Sequence, residues 1–440
     1  MRTRHRRTAL TLTAAATAIL LLGGCASGGG GAAPESEADL NKRPDKVDFT
    51  LALYGDAKRV DLYEQALPLF TDSQEDVSVA IEFADRGAYY ERLTTAAASK
   101  KLPDVFWLND SYFTRYASSG SLLDLTPYIE AKQIDTEGWG ETWLPYGEID
   151  GTSYGVPSHF NGVATILDQR ILDAAGVKYD AKTWEEAFAL GRKLTRPADK
   201  VWGVEDITLS FSQLPFQAWV RQHGEELFDD KGQIGFDKKL LVDWWKMWDD
   251  LRKDGVIPPP DVQIESQAQG TATALLTHGQ VAIRFSSATH VSAFGVLRDG
   301  GLNIASFPEI KGADEDWRMY TALVLVAAAN TDAPGVAADL IDFLVNDKDA
   351  AAITQINMGT PTPPAVAESV IPLLSPVDQQ VVEYLNEAQT HPSRPTPPVP
   401  EAAESFYDAL ARFSQEIAYG RMTPEKAADA LFSEAASILK

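Results

Sequence analysis

The chain has 440 residues, of which 45% are hydrophobic and 23% are charged. An apolar share of this size fills a large core, which excludes an intrinsically disordered chain and predicts two or three domain-sized units. Asp and Glu number 63 against 39 Lys and Arg, so the net charge is −24. A surface this acidic repels polyanions, and nucleic acid and anionic lipid are therefore excluded as electrostatic partners. The single cysteine excludes an internal disulfide.

The first 25 residues have the pattern of an export signal. Arginines near the start precede an apolar stretch, residues 9–22, that is too short to span a bilayer comfortably. The stretch ends in Leu-Gly-Gly-Cys25, which resembles a bacterial lipoprotein box, in which the cysteine is lipidated. We therefore expect a signal peptide over residues 1–24, a lipid anchor at Cys25 and a flexible tether over residues 25–46 in which nothing is buried. The alternative is a plain secretory signal with an incidental cysteine.

Strand and helix patterns alternate after the tether. Apolar alternation predicts strands over residues 47–54, 77–83 and 105–108, and helical spacing predicts helices over residues 61–71, 89–98 and 112–119. This order predicts a parallel sheet with helical crossovers, in which ligands lie at the carboxyl ends of the strands. Those ends carry Tyr54 and Asp56, Arg86, and the stretch from Asn109 to Tyr112.

The middle of the chain has the pattern of a second unit. Asp150-Gly151 predicts a hairpin turn, and Thr183-Trp-Glu-Glu186 is a capping box that opens a helix to Leu194. A helix over residues 238–253 carries three tryptophans at helical spacing (Trp244, Trp245 and Trp248), which we interpret as core. Further strands are expected over residues 164–167, 280–285 and 318–329, further helices over residues 170–175, 335–345, 404–418 and 424–439, and Pro-rich loops over residues 258–260, 359–364 and 392–400.

In their order and spacing, these segments resemble an extracellular solute-binding protein of an ABC importer, of the carbohydrate-binding type (family 1). The resemblance rests on the segments YGDAKRVDLYEQALPLF, IEFADRGAYYERL, KLPDVFWLNDSYFTRYASSGSLLDLTPYI, IDGTSYGVP, TWEEAFALGRKLT, LLTHGQVAIRF, FLVNDKDAAAI and FSQEIAYGRMTPEKAADALFSEA. It implies a two-lobe α/β fold of the periplasmic-binding-protein type (type II), with a ligand cleft between the lobes. It places lobe I at residues 47–158 and 310–345, lobe II at residues 159–309 and 346–440, and the crossings near residues 157–161, 306–311 and 346–361.

The resemblance also implies a function. Such a protein captures a sugar or oligosaccharide, does no chemistry on it and presents it to ABC permease subunits. With the export signal, this predicts a monomer held by lipid at the extracellular face of the cytoplasmic membrane, or a protein of the periplasm. No cofactor and no metal are expected.

The candidate ligand-binding residues follow from the chemistry of sugars, whose C–H faces stack on aromatic rings and whose hydroxyls need polar partners. We expect these side chains to line the cleft: Tyr54, Asp56, Arg86, Asn109, Asp110, Tyr112, His159, Asn161, Trp219, Arg284, Trp317 and Tyr320. The resemblance maps a carboxylate and an aromatic contact to Asp110 and Tyr112, and a stacking aromatic to Trp219. The alternatives are a helix cap for Asp110 and ordinary core for Trp219.

Two arginines raise the question of ligand charge. Arg86 and Arg284 stand where neutral-sugar relatives often have an aromatic and an acidic residue, and His159 and His290 fall in neighbouring segments. Their convergence would suit a carboxylate-bearing ligand such as a uronate oligosaccharide, because guanidinium pairs with carboxylate in two-pronged fashion. The alternative is that each arginine bridges the lobes, pairs with a local acid or donates to a neutral sugar.

The enzyme hypotheses are weaker. Residues 151–155 match the G-x-S-x-G pattern of hydrolases, but a hairpin context lacks the strand and helix that such an elbow needs. A surface-anchored carbohydrate-active hydrolase and a purely structural lipoprotein are retained as alternatives.

Overall fold

The computed structural model describes residues 40, 43–55, 57–72, 74–139, 143–209, 213–267, 270–298, 301–313, 319–389, 397 and 399–439. Backbone contacts divide the chain into units 1–32 and 33–440, and every described residue lies in the second unit. The expected signal peptide, the Cys25 anchor and most of the expected tether lie outside the described residues. Among the described helices, not one combines the length and the apolar character that crossing a bilayer requires.

The strands form a hairpin and one large sheet. The described strands are β1 (Val47–Tyr54), β2 (Val77–Ala84), β3 (Val105–Leu108), β4 (Glu148–Ile149), β5 (Thr152–Ser153), β6 (Gly155–Asp168), β7 (Trp202–Val204), β8 (Val281–Ser287), β9 (Leu302–Ala305), β10 (Met319–Ala327) and β11 (Thr360–Pro361). β4 pairs with β5, and the large sheet has the order β2-β1-β3-β10-β6-β8-β7, with β9 and β11 also paired to β6.

Helices cover and connect the strands. The described α-helices are α1 (Ala57–Thr71), α2 (Arg86–Ala98), α3 (Asp110–Ser118), α4 (Thr126–Glu130), α5 (Gln169–Ala175), α6 (Trp184–Leu194), α7 (Gln213–Gln222), α8 (Lys238–Lys253), α9 (Pro260–Gln267), α10 (His290–Arg298), α11 (Pro334–Asn346), α12 (Lys348–Thr354), α13 (Pro364–Val370), α14 (Pro376–Ala388), α15 (Ala403–Ala418) and α16 (Pro424–Ile438).

Strand β6 joins the two halves of the sheet. Its first half pairs antiparallel with β10, and its second half, from Val163 to Asp168, pairs with β8 and β9. We call the half built on β1, β2, β3 and β10 lobe I, and the half built on β7, β8 and β9 lobe II. The predicted strand over residues 164–167 is much too short, because the buried polar residues Ser158, His159 and Asn161 interrupt the apolar pattern that identifies a strand.

Each lobe has its own apolar core. In lobe I, buried side chains of β1, β3, β10 and α11 form a cluster that includes Trp107, Leu325 and Leu340. In lobe II, α6, α8, α15 and α16 pack their buried faces together over Phe285. The prediction that Trp244, Trp245 and Trp248 belong to a core is confirmed, because each is at most 2% exposed.

Two local predictions are confirmed in detail. Asp150 and Gly151 have positive φ angles of 51° and 79°, as a two-residue turn of this kind requires, and they join β4 to β5. Ser153 therefore lies on a hairpin strand and not on a nucleophile elbow. Thr183 and Glu186 form the reciprocal capping box that opens α6.

Several boundaries differ from the expectations. Pro260 opens α9 instead of continuing a loop, because proline is well accommodated in the first turn of a helix. Leu40 is buried in the core of lobe I and Arg43 pairs with Asp76. The expectation that nothing in the tether is buried is therefore wrong for its last residues before β1. Helix α12 packs against α1 of lobe I, although it falls in the segment expected to belong to lobe II.

Candidate functional site

The carboxyl ends of three parallel strands bring the first predicted residues to one edge of lobe I. β1 pairs in parallel with β2 and with β3, so Tyr54 and the residues that follow β2 and β3 lie close together. Asp85 accepts a hydrogen bond from the backbone N–H of Ala88 at 3.1 Å, which caps α2 and places Arg86 in its first turn. Helix α3 begins at Asp110, two residues before the predicted start.

Tyr90, which the sequence did not single out, connects this group. Its ring stacks on Tyr112 with centroids 3.6 Å apart and planes 5° apart, and the guanidinium of Arg86 lies 5.5 Å from its centroid. The Tyr54 ring lies 6.0 Å from the Tyr90 ring. The Tyr90 hydroxyl donates to Asn109 Oδ1 at 2.9 Å, and the Asn109 side chain makes no capping bond to α3. Tyr90 is buried, whereas Tyr54 and Tyr112 are half-buried, so the latter two present aromatic surface at the edge.

Glu404, in the first turn of α15 of lobe II, contacts this edge. Ser111 Oγ donates to Glu404 Oε1 at 2.5 Å, and Arg86 Nη2 lies 3.4 Å from the same oxygen. The side chains of Arg86 and Glu404 are 37% and 30% exposed. The contact therefore joins the two lobes at a place that still meets solvent.

The protonation states at this edge follow from burial and from the Glu404 carboxylate. Burial raises the pKa of Tyr54, and burial together with Glu404 raises the pKa of Tyr112. Both phenols are therefore protonated at neutral pH and can donate hydrogen bonds. Burial acts to lower the pKa of Arg86, but Glu404 and the neighbouring tyrosines outweigh it, so the pKa of Arg86 is raised on balance. The edge thus offers phenols, a guanidinium, an amide and carboxylates, which suit hydroxyl-rich ligands.

Three further predicted residues lie where β6 passes from lobe I to lobe II. Asn161 Nδ2 donates to Thr289 Oγ1 at 2.7 Å, and its Oδ1 accepts from the backbone of Gly162. Tyr320 pairs with Asn161 across the ladder, and its hydroxyl lies 2.7 Å from Ser287 Oγ. These bonds connect the crossing strands to the carboxyl end of β8.

The histidine of this crossing is neutral. His159 Nδ1 lies 3.0 Å from Ser158 Oγ. Burial, with the Arg59 guanidinium nearby, lowers the pKa of His159 to about 4. The ring therefore carries no charge at neutral pH.

Arg284 lies apart from this group, on β8 within lobe II. Its guanidinium pairs with Glu205, which is 1% exposed, and lies 5.0 Å from the ring centroid of Phe294. Gln263 Nε2 donates to the same carboxylate oxygen at 3.1 Å. Burial and Arg284 lower the pKa of His290 to about 4, so this ring is also neutral. The local acid that we considered as an alternative partner for Arg284 is therefore present.

Trp219 is placed against the core of lobe II. Its ring contacts Trp184 and Trp244 with centroids 5.9 and 5.6 Å apart, and it is partly buried. The structure therefore gives Trp219 the core contacts of the alternative interpretation, and it does not bring Trp219 into contact with the Tyr90 group.

The remaining predicted positions, Asp56 and Trp317, lie outside the described residues. Sequence reasoning missed Tyr90 and Glu404, and it named Ser111 only as part of the stretch from Asn109 to Tyr112. An acidic residue in a first helical turn is ordinary, so nothing in the sequence marked Glu404. Within the described ranges, no group of three or more His, Cys, Asp or Glu is placed to hold a metal ion.

Two α/β lobes that share crossing strands and meet over an aromatic and polar edge define the two-lobe class of binding-protein folds. The sequence model of the bacterial extracellular solute-binding proteins matches residues 65–374, which is more than half of the chain. The chain belongs to this family.

Individual relatives agree with this assignment. The chain is 24% identical to an arabinooligosaccharide-binding protein of Halalkalibacterium halodurans over 191 residues, which is 42% of each protein. It is 26% identical to the diacetylchitobiose binding protein DasA of Streptomyces coelicolor over 133 residues, 30% of this chain and 31% of that protein. The matches thus span less than half the length of these two relatives. A solved family 1 extracellular solute-binding protein of Alicyclobacillus acidocaldarius superimposes with a TM-score of 0.69 at 25% identity, covering 90% of this chain and 100% of that chain.

Proposed function

We propose that the chain is a receptor that captures a sugar or oligosaccharide between its lobes and delivers it unchanged to the permease of an ABC importer. The observation that carries the proposal is the contact of Glu404 in lobe II with Arg86 and Ser111 in lobe I, beside the half-buried rings of Tyr54 and Tyr112. Aromatic faces and charged hydrogen-bonding groups that meet between two lobes suit a sugar, and hinged lobes can close over it.

We assign direct ligand contacts to the edge residues Tyr54, Arg86, Asn109, Asp110 and Tyr112, and to Tyr320 at the crossing of β6. The two tyrosines at the edge provide stacking surface, and the other side chains exchange hydrogen bonds with hydroxyls. Asn161 and His159 act by positioning the crossing strands, since both already bond to neighbouring protein groups. For Asp56 and Trp317, which lie outside the described residues, we retain the prediction from the sequence that they contact the ligand.

The contacts of the basic residues favour an uncharged ligand over an acidic one. Arg284 is paired with Glu205 and Arg86 with Glu404. His159 and His290 have their pKa values lowered to about 4 and are neutral at pH 7. The four positive charges whose convergence would suit a uronate are therefore not all available to a ligand.

We place the lobe boundaries close to the expected ones, with one change. We assign residues 47–158 and 310–345 to lobe I, the second range because it contains β10 and nearly all of α11. We assign residues 159–309 to lobe II. Because α12 packs on α1, the last return to lobe II falls after α12 and not at residue 346.

Binding of candidate sugars tests the function. Short arabino-oligosaccharides and diacetylchitobiose, the ligands named for the two relatives, head a panel measured by calorimetry and by tryptophan fluorescence. We expect saturable one-to-one binding that raises the melting temperature and leaves the sugar intact. Cleavage of the sugar would instead support the hydrolase alternative, and the absence of binding across the panel would support a structural lipoprotein.

A matched pair of variants ties binding to the edge. Tyr112→Ala removes a half-buried ring at the edge and is expected to weaken sugar binding roughly tenfold. Tyr419→Ala removes a ring that is 43% exposed after α15 and is expected to leave binding unchanged. Equal effects of the two substitutions would contradict the assignment of the site.

We propose that Cys25 anchors the receptor by lipid outside the cytoplasmic membrane. Fatty-acid labelling of the full chain in bacteria, compared with Cys25→Ser, tests this. We expect label and membrane association only with Cys25, and a labelled serine variant would contradict the anchor.

A further inference from the structure

The Glu404 carboxylate occupies donors that a ligand would otherwise use. Arg86 and Ser111 each stand in the first turn of a helix that starts at the carboxyl edge of lobe I. Both reach the same oxygen, Glu404 Oε1. A ligand carboxylate that sought Arg86 would therefore meet the carboxylate of Glu404 already there.

The other charges near this place add to its negative character. Asp110 adjoins Ser111, and the carboxylates of Glu404 and Asp408 both act to raise the pKa of Tyr112. The Arg59 guanidinium lies 5.9 Å from the Tyr54 ring centroid, and it donates to the backbone oxygen of Tyr54 at 2.9 Å and to Asn357 Oδ1 at 2.6 Å. Glu404, Asp408 and Asp110 thus bring three carboxylates to the surroundings of Tyr54 and Tyr112.

We propose that Glu404 is a specificity-determining residue that neutralises Arg86 and reserves the interlobe site for uncharged sugars. The proposal rests on the proposed function and names the ligand class of the same site. A neutral hydroxyl can donate to the Glu404 carboxylate and accept from Arg86 at once. A uronate cannot donate through its carboxylate, and it brings a like charge close to Glu404, which is unfavourable where solvent is partly excluded.

A matched pair of probes tests the proposal. α-1,4-Digalacturonate and the same disaccharide with both carboxyls reduced to alcohols differ only at C6 of each ring, where a charged carboxylate is replaced by an uncharged hydroxymethyl group. Calorimetry with both probes compares the wild-type chain, Glu404→Gln, and Glu434→Gln as the control. Glu434, on α16 of the same lobe, forms an exposed ion pair with Arg412 at 2.7 Å.

Glu404→Gln is expected to bind digalacturonate at least tenfold more tightly than the wild type, and to bind the reduced disaccharide no more tightly than the wild type, because its hydroxyls lose a carboxylate acceptor. The control is expected to change neither affinity. Adding Arg86→Gln to Glu404→Gln is expected to abolish the gain, because Arg86 is then no longer available to the uronate. Urea unfolding of each variant checks that the fold is retained.

An affinity of Glu404→Gln for digalacturonate within twofold of the wild type, including no binding in either, overturns the proposal. So does an equal gain for both probes. Failure of the wild type to bind any uncharged sugar of the panel overturns the proposed function instead, so the two failures are distinguishable.

Discussion

Arg86 and Arg284 are the same residue type in two very different regions of the molecule. Arg86 opens a helix at the edge of lobe I, is 37% exposed, and pairs across the lobes with a carboxylate that is itself 30% exposed. Arg284 lies within a strand of lobe II, is 11% exposed, and pairs with a carboxylate that is 1% exposed. Both stood as equal candidates for ligand binding in the sequence.

The two pairs differ in how much the free energy of unfolding depends on them. A buried carboxylate that loses its cation is left desolvated and uncompensated, whereas an exposed one regains water. We therefore expect Arg284 to determine stability and Arg86 to determine ligand recognition. Substitutions in the two regions should therefore have different effects on stability and on affinity.

The largest effect is expected for Arg284→Met. The substitution leaves Glu205 buried without its cation and should lower the free energy of unfolding by about 3–5 kcal/mol. Urea unfolding measures the loss. The double variant Arg284→Met with Glu205→Leu should recover a large part of it, and a single-variant loss below about 1 kcal/mol would contradict a buried role for this pair.

The next effect is a pH dependence at the crossing between the two regions. His159 is 6% exposed and its pKa is about 4 when folded, against about 6.5 in an unfolded chain. The unfolded state therefore binds the proton first, and the stability that the neutral ring contributes is complete above pH 6.5 and is lost as the pH falls towards 4. The loss is roughly 3 kcal/mol.

Unfolding free energies from pH 7 to pH 4 check this, with His159→Gln as the comparison. The variant should show a shallower decline with falling pH than the wild type. Identical slopes would show that His159 is not the group responsible.

Arg86→Ala should have the opposite pattern, with a small effect on stability and a larger effect on ligand affinity. We expect the free energy of unfolding to fall by less than about 1 kcal/mol, because the pair is half-exposed. Affinity for a neutral sugar should fall threefold to tenfold, through the loss of a hydrogen-bond donor at the edge. Unfolding and calorimetry on one preparation measure both, and a stability loss as large as that of Arg284→Met would remove the contrast.

The smallest effect is expected for Arg412→Ala. This arginine pairs with Glu434 at the surface of lobe II, where the side chains are 52% and 41% exposed. The substitution should change stability by about 0.5 kcal/mol or less and leave sugar affinity unaltered. A clear effect on affinity would mean that charge anywhere on lobe II influences binding, and not charge at the edge.

The same contrast shows what the sequence could predict. Strand β1, helix α8 and the capping box of Thr183 follow from local patterns, and the structure confirms them. The sequence also predicted that Tyr54, Arg86 and Tyr112 lie close together. Each follows or ends one of three parallel strands, and the carboxyl ends of parallel strands meet at one edge of the sheet.

The partners of the charged residues could not be predicted. Glu404 lies 318 positions from Arg86 in the chain, and Glu205 lies 79 positions from Arg284. Only the packing of the two lobes decides which carboxylate meets which guanidinium. The first half of β6 was missed for a related reason, since its buried polar residues Ser158 and Asn161 bond to groups that come from distant segments.

Hydrogen exchange with and without a sugar from the panel tests whether the sugar binds between the lobes at this edge. We predict that the amides at the starts of α2, α3 and α15 become protected together when the sugar binds, while those around Arg284 in β8 keep their rates. Protection around Arg284 without any change at these three helix starts would contradict a sugar site between the lobes.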